Sequence, residues 1–531
     1  MVRRFFALAL VLALLAAAVP AFAWDWNEAA MEYMPLADEM TTITVMGRKS
    51  YAAYSELENL DTYTWLREHA NINVTGELYM DDAYNEKSSL AIASGDVPDV
   101  FIKTGWTSAQ VAKYGEDGVI IDLKPLIDEY CPNLVALFEK YPQVKAACTT
   151  DTGAIYAFPG INMLPRDVHT RFWMSQAWLD ALGMDHPSTL DELYDVLVAF
   201  RDKDPNGNGV KDEIPVSGAN GGTIDELILN AYGLKTRSYN GLFDDVDGKV
   251  IFAPTTEAYK AYLKYMNRLY AEGLLDSEMF IQTTEQLNAK GGENRVGMYQ
   301  SAASWLTCTS EYGMDHFQVG PFTSEMNDTP MVITGGGYSL NRCCITYACQ
   351  NVEAVMKLMN FFYSVPGGIM ETDGPYGGWI WLDEEKGVWG YADYILENFD
   401  SVEAWRAGQA TTRDSWGNYL DVDLSLGLDA TDATGIDLAK WLNDNTATYQ
   451  EPYFKLGFPS LSLNSDELFI ATPIENDVKN YVTNMRARFI IGEEDIDAKW
   501  DEYVSAIGDM KVADLLVQYQ SAYDRYLAAM A

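Results

Sequence analysis

The run Asp204-Pro205-Asn206-Gly207-Asn208-Gly209-Val210-Lys211-Asp212-Glu213 sets oxygen-bearing side chains at alternate positions, with glycines between them. That spacing lets a tight loop aim several oxygens at one hard cation, as the calcium loop of an EF-hand does. Asp204, Asn206 and Asn208 take the first, third and fifth loop positions, and Val210 offers its backbone carbonyl. Pro215 stands where an EF-hand carries its bidentate Glu, so Asp212 and Glu213 must complete the shell. The expectation is one structural Ca2+; the alternative is a plain Asn/Gly turn without metal. Catalytic motifs are missing. The chain has no GxSxG and no HExxH. Its 78 acidic residues supply so many carboxylate pairs that none is singled out for glycoside hydrolysis. Four histidines and no CxxC pair argue against zinc.

The elements that would position this loop are legible. Ile43 to Met46 reads as a buried strand closing on Gly47, a helix follows over Leu57 to His69, and Ile72 to Tyr79 alternates as a second strand. Tyr84 to Ser94 reads as a helix stopped by Gly95, and Asp99 to Lys103 as a third strand. Strands separated by helices of this length imply a parallel, doubly wound α/β lobe, with ligands beyond the carboxyl ends of its strands. Thr189 and Glu192 form a capping box ahead of a helix from Leu190 to Phe200. Glu257 to Ala271 is a second amphipathic helix stopped by Gly273, and Arg295 to Tyr299 is a short strand. The C-terminal third is mainly helical, with Trp500, Tyr503, Val504 and Ile507 on one face and a last helix from about Val512. No internal repeat and no low-complexity linker interrupts the chain, so its lobes are expected to interleave.

Composition narrows the function. Arg3 and Arg4, the apolar stretch from Phe5 to Val19 and Ala21-Phe22-Ala23 form a cleavable export signal over 1–23. No lipid-attachment Cys follows it, so the expected location is periplasmic or secreted. At 48% hydrophobic and 13% aromatic, a chain of 531 residues folds into two or more lobes. A net charge of −41 repels nucleic acid and anionic lipid, which removes both as partners, and the chain is expected to be a monomer. Export permits disulfides. Cys131 could pair with Cys148, and Cys308 with Cys343, Cys344 or Cys349.

Seven segments, in order, resemble a known family. They are Ala93-Ser94-Gly95-Asp96-Val97-Pro98-Asp99-Val100; Ile155-Tyr156-Ala157-Phe158-Pro159, with Thr152-Gly153 in place of Asp-Gly; Trp178-Leu179-Asp180-Ala181-Leu182-Gly183; the Asp204 to Pro215 loop; Leu269-Tyr270-Ala271-Glu272-Gly273-Leu274-Leu275-Asp276; Ile490-Ile491-Gly492-Glu493-Glu494; and Ala522-Tyr523-Asp524-Arg525-Tyr526. The chain resembles the large, family 1-type extracellular solute-binding proteins of carbohydrate ABC transporters, including the alginate-oligosaccharide and LipO-like members. It departs from them at Ser175 and Ala177, where the family often carries Arg and Asp.

The resemblance implies an α/β, two-lobed fold of the type II periplasmic-binding-protein kind, with interleaved lobes, a helical C-terminal region and a carbohydrate held between the lobes. One lobe is expected over 42–160 and 290–345. The other is expected over 165–285 and 350–531, with the calcium loop 204–213. A sugar site needs aromatic platforms rimmed by hydrogen-bonding groups. Trp106, Trp173, Tyr299, Trp305, Tyr338, Trp379 and Trp381 lie in or beside loops, with Arg171 and Asn220 as polar company. The expected function is capture of an oligosaccharide or modified sugar for uptake through ABC permease subunits, with no chemistry on it. A secreted glycoside hydrolase and a binding protein serving a sensor kinase are the alternatives.

Overall fold

A computed structural model describes residues 26–49, 56–220, 222, 224–237, 241–383, 388–400, 402–413, 415–420 and 438–530. The expected export signal over 1–23 lies outside them. The chain divides into two compact units, a first of Met1–Lys140, Ala154–Ile161 and Ser339–Lys440, and a second of Tyr141–Gly153, Asn162–Tyr338 and Trp441–Ala531. It therefore passes from one unit to the other five times, and each unit is assembled from three segments.

The first unit holds a six-stranded sheet. Its order is Tyr419–Leu420, Phe158–Asn162, Tyr338–Ile345, Val100–Ile102, Thr41–Arg48 and Ile72–Tyr79. The 41–48 strand pairs in parallel with both 72–79 and 100–102, and helices Asp61–His69 and Asp81–Ser94 make the crossovers. Ile43, Val45, Ile72, Val74 and the whole 100–102 strand are buried. Val45 pairs with Gly76, where a Cβ would sit 1.9 Å from the Val45 carbonyl oxygen. The Ser94-Gly95…Asp99 run is structural. Gly95 ends its helix at φ +77°, and Asp99 accepts from the Thr44 amide at 2.8 Å and the Thr44 hydroxyl at 2.7 Å. The carboxylate thus fixes the register of two neighbouring strands.

The second unit is built on a four-stranded sheet ordered His316–Gln318, Phe172–Ser175, Val296–Gln300 and Ile214–Val216. The 296–300 strand lies antiparallel to 172–175 and parallel to 214–216. The Thr189/Glu192 capping box forms, and its helix runs over Leu190–Asp202. Ser175, one of the two departures from the family pattern, accepts from the Trp178 amide and so caps the helix Gln176–Leu182.

The expected division gave 290–345 to the first lobe and 350–531 to the second. The structure moves both boundaries. Residues 290–338 belong with the second unit because 296–300 and 316–318 pair with 172–175. Residues 350–440 belong with the first, where helices Val352–Phe362 and Val365–Asp373 pack on each other and the latter also packs on Tyr419–Leu420. The disulfide expectation is also corrected. All six cysteines are free thiols, Cys131 and Cys148 fall in different units, and Cys308 is separated in the same way from Cys343, Cys344 and Cys349. Among the described residues no helix is long and apolar enough to cross a membrane.

Two adjacent acids in helix Asp225–Ala231 show how the second unit treats buried charge. Asp225 forms an ion pair with Arg486 of helix Ser465–Ile490, and the Tyr262 hydroxyl donates to it at 2.5 Å. Arg486 is 2% exposed and donates to the Tyr262 oxygen at 2.7 Å, so this cluster joins three helices. Among the described residues Glu226 has no such ion pair. Burial pushes its carboxyl up to about 8, against a hydrogen bond from Thr170 and the more distant charge of Arg237.

Replacing Arg486 with Met should destabilise the protein by about 3–5 kcal/mol, because Asp225 keeps a buried charge without its partner. Urea denaturation of R486M against wild type measures this. Glu226 gives a pH signature. Its folded pKa of about 8 exceeds the unfolded value of about 4.3, so the native form binds the extra proton and stability falls as pH rises between the two. E226Q should match wild type in urea midpoint near the lower limit and exceed it above the upper one.

Candidate functional site

The Asp204–Glu213 loop leads from helix 190–202 into the 214–216 strand. Gly207 and Gly209 adopt φ values of +70° and +81°, which lets the chain coil tightly. Asp204 accepts from the amides of Asn208 at 3.1 Å and Gly209 at 2.8 Å. Asn206 accepts from Asn208 at 3.0 Å, and Asn208 from Val210 at 2.7 Å. The side-chain oxygens are therefore folded inward over the loop. Two contacts tie it to the neighbouring strand. Asn206 donates to the Asn294 carbonyl at 3.1 Å, and Arg295 meets the Asp212 carboxylate at 3.0 Å.

Glu213 is the anomaly in this loop. It is buried, and among the described residues neither of its carboxylate oxygens has a hydrogen-bond partner. Burial, and the nearby Asp204 and Asp212 carboxylates, push its pKa up. A buried acid with two empty lone-pair faces, next to two other acids, fits a cation better than it fits a plain turn. No three Asp, Glu, His or Cys side chains converge among the described residues. A cation here would therefore depend on the Asn206 and Asn208 amide oxygens and on backbone carbonyls as well.

The aromatic candidates divide sharply. Trp106 lies in the core of the first unit, its ring 4.9 Å from both Phe101 and Tyr114. Trp173 and Tyr299 are 0% exposed and offer no ring face; they sit side by side on paired strands, Trp173 donating to the Ser301 carbonyl at 2.9 Å and Tyr299 to Ser304 at 3.2 Å. The expectation that these three contact ligand is corrected, because strand ends in this fold also anchor the core. Arg171 is mostly buried, 3.5 Å from Asp167, and burial lowers its pKa. Tyr338 is half-buried, and burial raises its hydroxyl pKa. Trp379 and Trp381 lie on a strand, Trp379–Asp383, paired with Val388–Tyr391, and their side chains are outside the described residues.

Trp305 and Asn220 remain, and the structure adds a third residue. Trp441, in helix Leu438–Tyr449, stacks on Trp173 with centroids 5.3 Å apart and planes 13° apart, and Trp305 meets its edge at 5.7 Å and 62°. Both Trp305 and Trp441 are half-buried, and Tyr312 and Ala219 pack on the same cluster. Asn220 follows Ala219 at φ +56°, is exposed, and donates its amide to the Gln282 carbonyl at 3.0 Å. The result is a pair of tryptophans steeply inclined to each other and backed by Trp173, with the Ala219-Asn220 turn packed on the cluster through Ala219 and the Asn220 side-chain amide donating to Thr284 at 3.5 Å. Trp441 escaped sequence reading because it lies in a helix. The available signal was an aromatic followed within four residues by Asn443, Asp444 and Asn445.

Comparison with known proteins fits this geometry. The family model for bacterial extracellular solute-binding proteins matches residues 47–368. The fructooligosaccharide ABC transporter substrate-binding protein FusA of Streptococcus pneumoniae serotype 4 is 28% identical over 477 residues, covering 87% of this chain and 86% of FusA. Solved structures of FusA in complex with kestose, and of a FusA EF-hand mutant in complex with fructo-nystose, each superpose with a TM-score of 0.73 at 26% identity, over 92% of this chain and 100% of theirs. A solute-binding protein from Bifidobacterium longum infantis shares the fold with a TM-score of 0.75 at 20% identity, over 92% of this chain and 99% of that one. Two interleaved α/β units, matched by one family over more than half of the chain, place this protein among the bacterial extracellular solute-binding proteins.

Proposed function

We propose that this protein captures a carbohydrate outside the cytoplasm and delivers it to the permease of an ABC transporter, leaving every bond of the sugar intact. The observation that carries this reading is the platform of Trp305 and Trp441 over Trp173. A pyranose or furanose ring presents C–H groups on its faces and hydroxyls at its rim. The open parts of half-buried indoles bind the faces, and amides such as that of the exposed Asn220 bind the rim. The likeness to FusA makes a short fructooligosaccharide the first candidate. The absence of GxSxG and HExxH motifs favours binding over hydrolysis. The basic, apolar and small-residue order of 1–23 supports export, and the lack of a Cys after it supports an unlipidated product.

A panel of glycans that includes kestose, read by intrinsic tryptophan fluorescence and calorimetry, tests the proposal. One class should bind and be recovered intact. W441A and W305A should each weaken that binding by about 1–3 kcal/mol, the scale of a lost stacking face. New reducing ends that accumulate with time and protein dose would mean a hydrolase.

The same proposal places one structural Ca2+ in the 204–213 loop, held by Asp204, Asn206, Asn208, the Val210 carbonyl, Asp212 and Glu213. Glu213 supports it, since the cation gives its buried carboxylate a partner. Calcium binds the folded loop and not the unfolded chain, so it stabilises by mass action. Chelation should lower the melting temperature of wild type. E213Q should reverse the sign of the loop's contribution: without calcium it should be about 1–3 kcal/mol more stable than wild type, because a buried uncompensated acid is gone. It should also lose most of the calcium-induced shift. An unchanged melting curve on chelation of wild type would leave the loop as a plain turn.

A further inference from the structure

Asp276 closes the Leu269-Tyr270-Ala271-Glu272-Gly273-Leu274-Leu275-Asp276 motif, and neither a helix end nor the metal loop accounts for it. Gly273 already ends the helix Glu257–Ala271, at φ +68°. Asp276 is buried and sits at a junction of four groups. Its Oδ2 accepts from the Ser217 hydroxyl at 2.7 Å, from the Gln282 amide at 3.0 Å and from Lys290 at 2.7 Å. Its Oδ1 accepts from the Glu278 amide at 3.1 Å. Burial alone would raise this carboxyl, yet the hydrogen bonds from Lys290 and Ser217 outweigh it and hold the pKa below the usual value.

The same groups grip the loop that carries Asn220. Asp276 donates its amide to the Val216 carbonyl at 2.8 Å, and Val216 donates to Leu274 at 3.1 Å, so the motif forms a short parallel bridge with the end of the 214–216 strand. Gln282 takes the next part of the loop. Its side-chain amide donates to Ser217 at 3.0 Å and also to the Gly218 carbonyl, and its backbone carbonyl accepts from Asn220 at 3.0 Å. Lys290 bridges Asp276 and Glu278 at 2.7 Å each, which holds the turn that carries Gln282. Asn220 itself has a positive φ, a conformation that costs a non-glycine residue energy and persists only where its surroundings impose it.

We propose that Asp276, with Lys290 and Gln282, is a positioning device for the ligand loop: it holds Asn220 in its left-handed conformation beside the Trp305/Trp441 platform, and so sets sugar affinity without touching the sugar. The proposal rests on the carbohydrate reading above for what Asn220 meets, but not for what holds Asn220.

The test therefore has two readouts on the full-length exported protein. Hydrogen exchange of ligand-free D276N and K290M should show faster exchange at 217–222 by about tenfold, with the 296–300 strand as protected as in wild type; K290R, which keeps the charge, should restore protection. Titration with kestose should give a Kd raised by about tenfold in D276N, at a temperature where the variant is fully folded. If 217–222 stays protected in D276N, or if protection falls evenly across the second unit, the positioning role is overturned even though wild type binds kestose. If 217–222 alone loosens and wild type ignores kestose, the positioning stands and the choice of sugar fails.

Discussion

The second unit depends on the parallel pairing of the 214–216 strand with the 296–300 strand. Ile214 donates to the Arg295 carbonyl at 2.7 Å, and Ser217 to Met298 at 3.0 Å, so the two strands advance together. Parallel strands cannot be joined by a tight turn; the connection must cross over. Here the long connection includes helices Asp225–Ala231, Glu257–Ala271 and Thr284–Gly292. Both strands start at the Asp204–Glu213 loop, through Glu213 and through Asn294-Arg295. Both end at the aromatic cluster, one into the Ala219-Asn220 turn and the other into Trp305. Parallel alignment is what puts the proposed oxygen ligands of the loop at one end of the strand pair and the proposed platform of Trp305 and Trp441, with Asn220, at the other. An antiparallel pair would have mixed them.

The interior of this cluster explains why tryptophans have such different fates. Trp173 must be buried because its strand lies between two others, and its only indole donor is satisfied by the Ser301 carbonyl. Once buried, it becomes the floor on which Trp441 stacks. The proposed platform would thus be stiff before any ligand arrives, and binding there would be spared the entropy cost of ordering free rings. Trp106 in the first unit has a similar place after a strand, and there the half-buried ring of Tyr114 meets it edge-on, where Trp441 lies nearly parallel on Trp173.

Local signals carried much of this. The capping box at Thr189, the helix at Glu257–Ala271 and the first two strands follow from periodicity and caps, because these are decided by residues within a few positions of each other. Unit membership is not local. Residues 290–338 join the second unit only because 296–300 and 316–318 find 172–175, more than a hundred residues earlier. Whether a loop tryptophan faces solvent is equally non-local. The sequence marks Trp173 and Trp305 as alike, while the distinction lies in how many strands flank each. Trp441 was hidden for the converse reason: a helical setting reads as core, and its exposed face exists only because Trp173 fills the space beneath it.

With 78 acidic against 37 basic residues, most carboxylates must do without a cation, and water serves them at the surface. Burial removes that option, so each interior acid needs another solution. Asp225 takes Arg486, and Asp276 takes Lys290 with three neutral donors. Glu226 has a hydroxyl in contact and stays protonated to a higher pH. Each solution is visible in the surrounding hydrogen bonds. Glu213 departs from the series, because burial raises its pKa as it does for Glu226, its own backbone N–H opposes the rise only in part, and no other residue among those described donates to its oxygens. Protonation resolves the site in one way, because the neighbouring Asp204 carboxylate can accept from the resulting O–H. The proposed divalent cation would resolve it in another: it would satisfy both oxygens together and offset Asp204 and Asp212 as well, in the same loop that the spacing of oxygens marks.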